Sequence, residues 1–333
     1  MVMLKKRPAF GSRVHVNDSR AIGGATRATP RTGREHMIGW RHMRRSRIAS
    51  LFAILAIGAF SLPLLASTTA AVAASPRTSP QPSTSQSSPC SSPTSADPSG
   101  IPMPTTSPTG WNLVFSDDFT TNVAAGSWPG SAYSAKWTSY GPPETDTSGA
   151  GSYETTNVSV SNGCLILHLG TVGRTVQVAG PVPILPGKSA WVGQTYGMYS
   201  VCFRADAGLT GFKTAWLLWP DSNTWSQGEI DFPEGDLAGT INAYDHQVGN
   251  PSVNALAVEG LSATYTSWHV ATIEWTATGV TFILDGRVIG TSTMSPSIPM
   301  HWVLQTETDG GAPAPSVAGN IDIDWVAIYA PAN

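Results

Sequence analysis

The stretch "WHVATIEWTATGVTFILDGRVIG", residues 268–290, decides the fold class. Val, Ile, Thr and aromatic residues alternate in it with small or polar residues, which is the period of a β-strand. It contains Asp285-Gly286, a dipeptide that favours the two-residue turn between antiparallel strands. The stretch therefore predicts β-strands joined by a tight hairpin turn.

The same alternation of apolar and polar residues continues from Trp111 to the end of the sequence, in short runs separated by Gly, Pro, Asn and Ser. Stretches of helical period are missing, and we find no internal repeat. Many short strands over ~220 residues predict an all-β domain, either a sandwich or a closed barrel. A single domain of this size can bury a large core.

Charge is distributed unevenly along the chain. Residues 1–47 carry 12 Lys and Arg against two acids, whereas residues 101–333 carry 6 Lys and Arg against 19 acids. An acidic domain repels phosphate backbones, so we expect no nucleic-acid partner.

An apolar run, residues 48–66, follows Arg44, Arg45 and Arg47 and precedes Ala71-Val72-Ala73. This order predicts a signal peptide within residues 1–74 and a secreted protein. A single membrane anchor is the alternative, because the run approaches the ~20 residues that span a bilayer. The long leader indicates that Met37 or Met43 is the true start.

Ser, Pro and Thr dominate residues 75–109. Such a segment buries too little apolar surface to offset its ordering entropy, so it predicts a disordered linker. The folded domain is then expected over residues 110–333, as a monomer with no stable protein partner.

The acids of the chain concentrate in "WSQGEIDFPEGD", residues 225–236. On a strand, Glu229 and Asp231 share a face, whereas Glu234 would point to the other side. One β-bulge between Asp231 and Glu234 would restore the parity, and Pro233, which lacks an N–H, suits a bulge. The stretch thus predicts three carboxylates on one face.

Two Glu side chains at this spacing can lean together to ~5–6 Å, the separation typical of a retaining glycosidase. Asp231 lies between them, where it can hydrogen-bond to one Glu and, by like-charge repulsion, raise the pKa of the other. A solvated acidic face would carry interleaved cations, and a calcium loop would not place Ile230 and Phe232 between its acids. Both remain alternatives on pattern alone.

Glu229-Ile-Asp231-Phe-Pro-Glu234 resembles the E-[ILV]-D-x-x-E signature of glycoside hydrolase family 16, the laminarinase/lichenase-like β-glucanases. The resemblance extends over residues 111–329. It includes the stretches "LVFSDDF", "YGMYSVCFRA", the hairpin quoted above and "IDIDWVAIYA".

The resemblance implies a β-jelly-roll sandwich of two antiparallel sheets with a concave substrate cleft. It also implies a retaining double displacement, with Glu229 as nucleophile, Asp231 as its assisting carboxylate and Glu234 as acid/base. Pro233 stands where the family often has an aliphatic residue or Met, a departure that could stiffen the position of Glu234.

Substrate-binding residues are expected beside the acids. Trp216, Trp219 and Trp225 precede the cluster, and indole rings stack on the flat faces of sugars. The resemblance points to His246 near the acid/base. Gln305 is a polar residue among apolar ones and could bind a sugar hydroxyl. The alternatives are core packing for the three tryptophans, a structural hydrogen-bonded role for His246 and exposure to solvent for Gln305.

No cofactor is required by this chemistry, and no metal site is predicted. Asp324 matches a family position that often contributes to a structural calcium site, with surface Asp as the alternative. Export would place the cysteines in an oxidising compartment, which makes Cys164 and Cys202 a candidate disulfide pair, with Cys90 in the linker; the sequence does not give their Cα distance.

The function predicted is a secreted, endo-acting glycoside hydrolase of β-linked polysaccharide. A β-1,3- or mixed β-1,3-1,4-glucan is expected as substrate, with a galactan also open. A wall-remodelling transglycosylase and a non-catalytic carbohydrate-binding protein on the same fold are the alternatives. A binding protein, however, has no use for two Glu residues at ~5 Å.

Overall fold

The computed structural model describes Cys90 and residues 97–332. The predicted signal segment and residues 75–89 and 91–96 of the predicted linker lie outside the described residues. No helix in the described ranges is long and apolar enough to cross a membrane. The one α-helix among them, α1, spans Gly130–Tyr133, and 3₁₀ turns occur at Thr155–Asn157 and Trp225–Gln227.

Strands make up most of the described chain. In order they are β1 Trp111–Asp117, β2 Trp137–Ser139, β3 Gly151–Tyr153, β4 Val158–Ser161, β5 Cys164–Val172, β6 Thr175–Val178, β7 Pro181–Pro183, β8 Gly197–Ala205, β9 Phe212–Pro220, β10 Glu229–Asp236, β11 Asn242–His246, β12 Asn254–Val258, β13 His269–Thr276, β14 Gly279–Leu284, β15 Arg287–Ser292, β16 Met300–Thr308 and β17 Gly319–Pro331.

Two large sheets and a short ribbon result. The larger sheet runs β15-β14-β13-β8-β17-β5-β6-β3, with β1 also paired to β17 and β4 to β5. The smaller sheet runs β12-β11-β10-β9-β16, and β2 pairs with β7. Of these pairings only β3–β6 is parallel. The predicted all-β jelly-roll sandwich is confirmed.

The hairpin that indicated the fold forms as predicted. Asp285 and Gly286 connect β14 to β15 with φ of 51° and 74°, and Leu284 pairs with Arg287. Both positions need a left-handed backbone, which Asp and Gly tolerate better than other residues.

The core lies between the two large sheets and is rich in aromatic residues. Alternate residues of each strand point into it, and Trp216 of β9 packs edge-on against Phe203 of β8 with ring centroids 5.0 Å apart. Trp137, Trp275 and Trp302 are also fully buried. Burial of this much apolar surface is what makes the pattern of alternating residues fold.

Residues 97–109, which fall within the predicted linker, lie along the outer face of the larger sheet. The Ser99 amide donates to Asp324 at 3.1 Å, and the Trp325 indole donates to the Ile101 carbonyl at 2.7 Å. Ile101 and Met103 pack against Trp325 and other residues of that face. This cover explains why β8 is buried on both of its faces.

The candidate disulfide between Cys164 and Cys202 does not form. Cys164 bonds to Cys90, with Cα atoms 6.1 Å apart, whereas Cys202 is free and buried, and burial raises its pKa to about 12. β17 lies between the strands that carry Cys164 and Cys202. Two strand spacings amount to about 9.5 Å, which exceeds the reach of a disulfide.

Asp245 of β11 is a carboxylate in the core. It pairs with Ile230, whose side chain faces the other sheet, and it is fully buried near Ser292 of β15. Burial raises the pKa of Asp245 to about 6, although Ser292 and His246 oppose the rise. Ionised Asp245 therefore costs folding free energy at neutral pH.

Replacing Asp245 by Asn is expected to stabilise the protein at pH 7 by up to about 3 kcal/mol, since two pKa units are involved. Because the folded pKa lies above the unfolded pKa of ~3.9, the stability is complete below pH ~4 and is lost as pH rises to about 6. Urea unfolding of both proteins from pH 4 to 8 measures this. Asp309→Asn, at an exposed carboxylate, is the control. A constant difference between Asp245→Asn and wild type across this range would contradict the prediction.

Candidate active site

The three predicted carboxylates all stand on β10, the central strand of the smaller sheet. The register of β10 shifts between Asp231 and Glu234 against both of its neighbours, which is the predicted bulge. Asp231 pairs with Leu217 of β9 and Glu234 with Ala215, two residues apart on the same side of that strand. The bulge therefore turns Glu234 to the face that carries Glu229 and Asp231.

Glu229 is nearly buried on this face and is held by Trp225. The indole Nε1 donates to the Glu229 Oε2 atom at 2.5 Å. Burial, followed by the negative charge of Asp231, raises the pKa of Glu229 well above its ordinary range, while His246 and Trp225 oppose the rise. The bond from Trp225 favours the carboxylate and orients it.

Asp231 and His246 share a short polar contact. The imidazole Nε2 lies 3.0 Å from the Asp231 Oδ2 and 3.9 Å from the Glu229 Oε2. The other ring nitrogen, Nδ1, lies 2.7 Å from the Pro251 carbonyl oxygen and must be its donor, because a carbonyl only accepts. The 3.0 Å separation of Nε2 and the Asp231 Oδ2 atom is a hydrogen-bond distance.

Burial, and then the charge of Glu234, raises the pKa of Asp231 well above its ordinary range, while Lys213 opposes the rise. Glu229, Asp231 and His246 offer ligand atoms within 4.8 Å of one another, close enough to hold an ion jointly. The hydrogen bonds from Trp225 and His246 account for this grouping without one.

Glu234 is the most exposed of the three acids, at 21% of its side chain. Its Oε1 lies 3.6 Å from the Lys213 ammonium of β9. Burial raises the pKa of Glu234, and Lys213 and then His246 partly oppose this. A carboxyl group that keeps its proton to higher pH than usual and still reaches solvent is suited to general acid catalysis.

Lys213 is also held from the other side. Its ammonium lies 3.0 Å from Glu307 Oε2 of β16, and the Thr147 amide and hydroxyl both donate to the other oxygen of that carboxylate. Burial alone would lower the pKa of Lys213, but Glu307 and Glu234 more than offset this and raise it. The ammonium therefore stays charged.

Trp216 does not belong to the site, which corrects the prediction. Its side chain is fully buried between the two sheets. Trp216 and Trp219 are three residues apart on β9 and therefore point to opposite faces of the strand, and only Trp219 points to the face that carries the acids. Trp219 pairs with His301 on the acid-bearing face and is partly exposed, and Gln305 pairs with Ala215 on that face. Trp225 and His246 contact the acids directly.

Residues that the sequence interpretation missed complete the face. Tyr140 and Trp191 stack at a centroid distance of 5.2 Å and an interplanar angle of 18°, beside Trp219. Val182, Leu217 and Val303 lie beneath them. This aromatic platform comes from separate loops and strands, and no local pattern connects them.

Asp324 lies on the opposite face of the domain, where it accepts the Ser99 amide. Burial raises the pKa of Asp324 to about 6, with nearby Asp97 adding to the rise. The residue is buried, unlike the surface Asp that was the alternative to calcium binding.

Comparison with known proteins identifies a family model whose matched range includes this site. The family model "Glycosyl hydrolases family 16" matches residues 187–327, a range that contains β8–β16 and all three acids. No curated protein matches the chain. The match confirms the resemblance seen in the sequence over these residues, and the predicted enzyme class, a glycoside hydrolase acting on O-glycosyl bonds, is the one that the matched family's description names.

Solved structures share the fold. SCLam, a non-specific endo-β-1,3(4)-glucanase of family 16, is 19% identical with a TM-score of 0.55, over 69% of this chain and 95% of that one. A laminarinase from Flavobacterium sp. UMI-01 is 18% identical with a TM-score of 0.51, over 66% and 100%. An endo-acting O-glycanase of human gut microbiota that initiates mucin breakdown is 18% identical with a TM-score of 0.52, over 65% and 98%.

Proposed function

We propose that this protein is a secreted, endo-acting, retaining glycosidase that hydrolyses a β-1,3-glucan or a mixed β-1,3-1,4-glucan. The observation that carries the proposal is the bulge in β10, which sets Glu229, Asp231 and Glu234 on one face of a sheet beside an aromatic platform. Paired carboxylates and aromatic rings are the two components that polysaccharide cleavage needs.

In the first step the Glu229 carboxylate attacks the anomeric carbon while the Glu234 carboxyl group gives its proton to the departing glycosidic oxygen. The C–O bond to the leaving chain breaks, and an ester forms between the sugar and Glu229. In the second step water attacks the same carbon, Glu234 takes a proton from that water, and the Glu229 carboxylate leaves. Both groups return to their starting states.

Four features support the individual parts of the proposal. Trp225 orients Glu229, and the Asp231–His246 pair can exchange one proton as the charge on Glu229 disappears. The Cys90–Cys164 disulfide is typical of an exported protein. The similar structures include a β-1,3(4)-glucanase and a laminarinase, which motivates the choice of β-glucan.

A panel of polysaccharides tests the substrate. Reducing ends released from laminarin, mixed-linkage glucan, galactan and mucin glycans are measured alongside the change in viscosity. We expect rapid loss of viscosity on one of the two β-glucans. Transfer to added oligosaccharide in preference to water would indicate the transglycosylase, and release from galactan or mucin alone would contradict the β-glucan assignment.

Product stereochemistry tests the mechanism. With the ~5–6 Å carboxylate separation expected from the sequence, cleavage should retain the β configuration. Proton NMR of the anomeric signals in the first minutes should show the β-anomer before mutarotation mixes the two. An initial α-anomer would rule out the double displacement.

A further inference from the structure

Lys213 is the sole ion-pair partner of Glu234 within the described part of the chain. Its position on β9 follows from strand parity, because Lys213, Ala215 and Leu217 share the face that carries the acids. Its 24% exposed side chain reaches between Glu234 and Glu307 and is bonded to the latter. The ammonium therefore has a fixed place beside a carboxyl group that must both release and take up a proton.

We propose that Lys213, anchored by Glu307 and Thr147, is a positioning residue that holds the Glu234 carboxyl group and sets the pH range in which it works. This rests on the proposed role of Glu234 as acid/base. The ammonium contacts Oε1 and leaves the second oxygen for the glycosidic oxygen and later for water. It also stabilises the carboxylate that remains after the proton has left.

The charges around Glu234 make the direction of the effect clear. Burial raises the pKa of Glu234, and Lys213 is the foremost group that lowers it. Other titratable groups near Glu234 are His246, Glu307, Asp231, Glu229, Tyr244 and Tyr265. Among them His246 also lowers the pKa of Glu234, whereas Glu307 raises it.

Lys213→Met, which keeps the side-chain length and removes the charge, is the central test. The alkaline limb of kcat/KM on a β-glucan should move upward by about one pH unit, since a cation at this distance lowers a carboxyl pKa by roughly that much. Lys213→Arg keeps the charge and should stay close to the wild-type limb. Arg287→Met, at the exposed first residue of β15 in the larger sheet, controls for the loss of one positive charge.

Glu307→Gln should move the limb in the opposite direction. It removes a negative charge near Glu234 and frees Lys213 to pair with Glu234 alone, so the Glu234 pKa should fall. A merely structural role for this network predicts loss of activity with an unchanged pH profile. Opposite shifts of the alkaline limb in Lys213→Met and Glu307→Gln would therefore show that Lys213 acts on the pKa of Glu234. Unchanged limbs would show a purely structural role.

Lys213→Met leaves Glu307 buried without its cation, and this can unfold the protein. The double variant Lys213→Met/Glu307→Gln removes both charges and keeps the test available. Its limb should still move upward, by less than in Lys213→Met, because Lys213 outweighs Glu307 in its effect on Glu234.

If the alkaline limbs of folded Lys213→Met, Glu307→Gln and the double variant all coincide with the wild-type limb, the inference is overturned. If Glu234→Ala then still abolishes polysaccharide cleavage, the proposed function survives and Lys213 is structural. If Glu234→Ala cleaves polysaccharide normally, the assignment of Glu234 fails first, and the inference about Lys213 fails with it.

Discussion

Glu229→Gln is expected to lower turnover of β-glucan by ~10⁴-fold or more, because an amide cannot form the glycosyl ester. The Gln carbonyl can still accept the hydrogen bond from Trp225, so the shape of the site should persist. Initial rates, thermal unfolding and calorimetric titration with an oligosaccharide give the three measurements needed.

The matched control for this variant is Glu274→Gln on β13, in the larger sheet and away from the three acids. It should keep wild-type turnover. If Glu229→Gln folds and retains more than a trace of activity, the assignment of Glu229 as nucleophile is refuted.

Glu234→Ala is expected to lower polysaccharide turnover by ~10²–10⁴-fold, the usual contribution of a general acid. An aryl β-glycoside with a good leaving group needs little protonation, so formation of its glycosyl-enzyme should survive. The second step then lacks a base. Added azide, which needs none, should restore the rate and yield a β-glycosyl azide.

The pH profile of the wild-type enzyme provides the companion measurement. Burial raises the pKa of Glu234, so the proton should be kept beyond the ordinary range of a Glu carboxyl, and activity should fall as pH rises through the raised pKa. The alkaline limb should be missing from azide-rescued Glu234→Ala. Normal polysaccharide cleavage by Glu234→Ala, or azide that neither rescues nor appears in product, would refute this role.

Features fixed by neighbouring residues could be predicted from the sequence. Asp285-Gly286 forms the expected turn, and the bulge at Pro233 follows from the parity of Glu229, Asp231 and Glu234. The same parity argument shows that Trp216 and Trp219, three residues apart, cannot both line the site.

Features that depend on which strands become neighbours could not be predicted. The contact between Lys213 and Glu307 exists because β9 lies beside β16, almost a hundred residues later in the chain. The pairing of Cys164 depends on β17 separating β5 from β8. Trp191 joins Tyr140 only after two loops meet at the edge of the sheet.

The bond between Cys90 and Cys164 joins the chain to the outer face of the larger sheet, whereas the three acids stand on the smaller sheet. Cys90 is therefore joined to the domain on the side opposite the three acids. A protease that cuts between residues 91 and 96 would not release the domain, because the disulfide keeps both pieces together. Separating the two pieces would need a reductant as well as the protease.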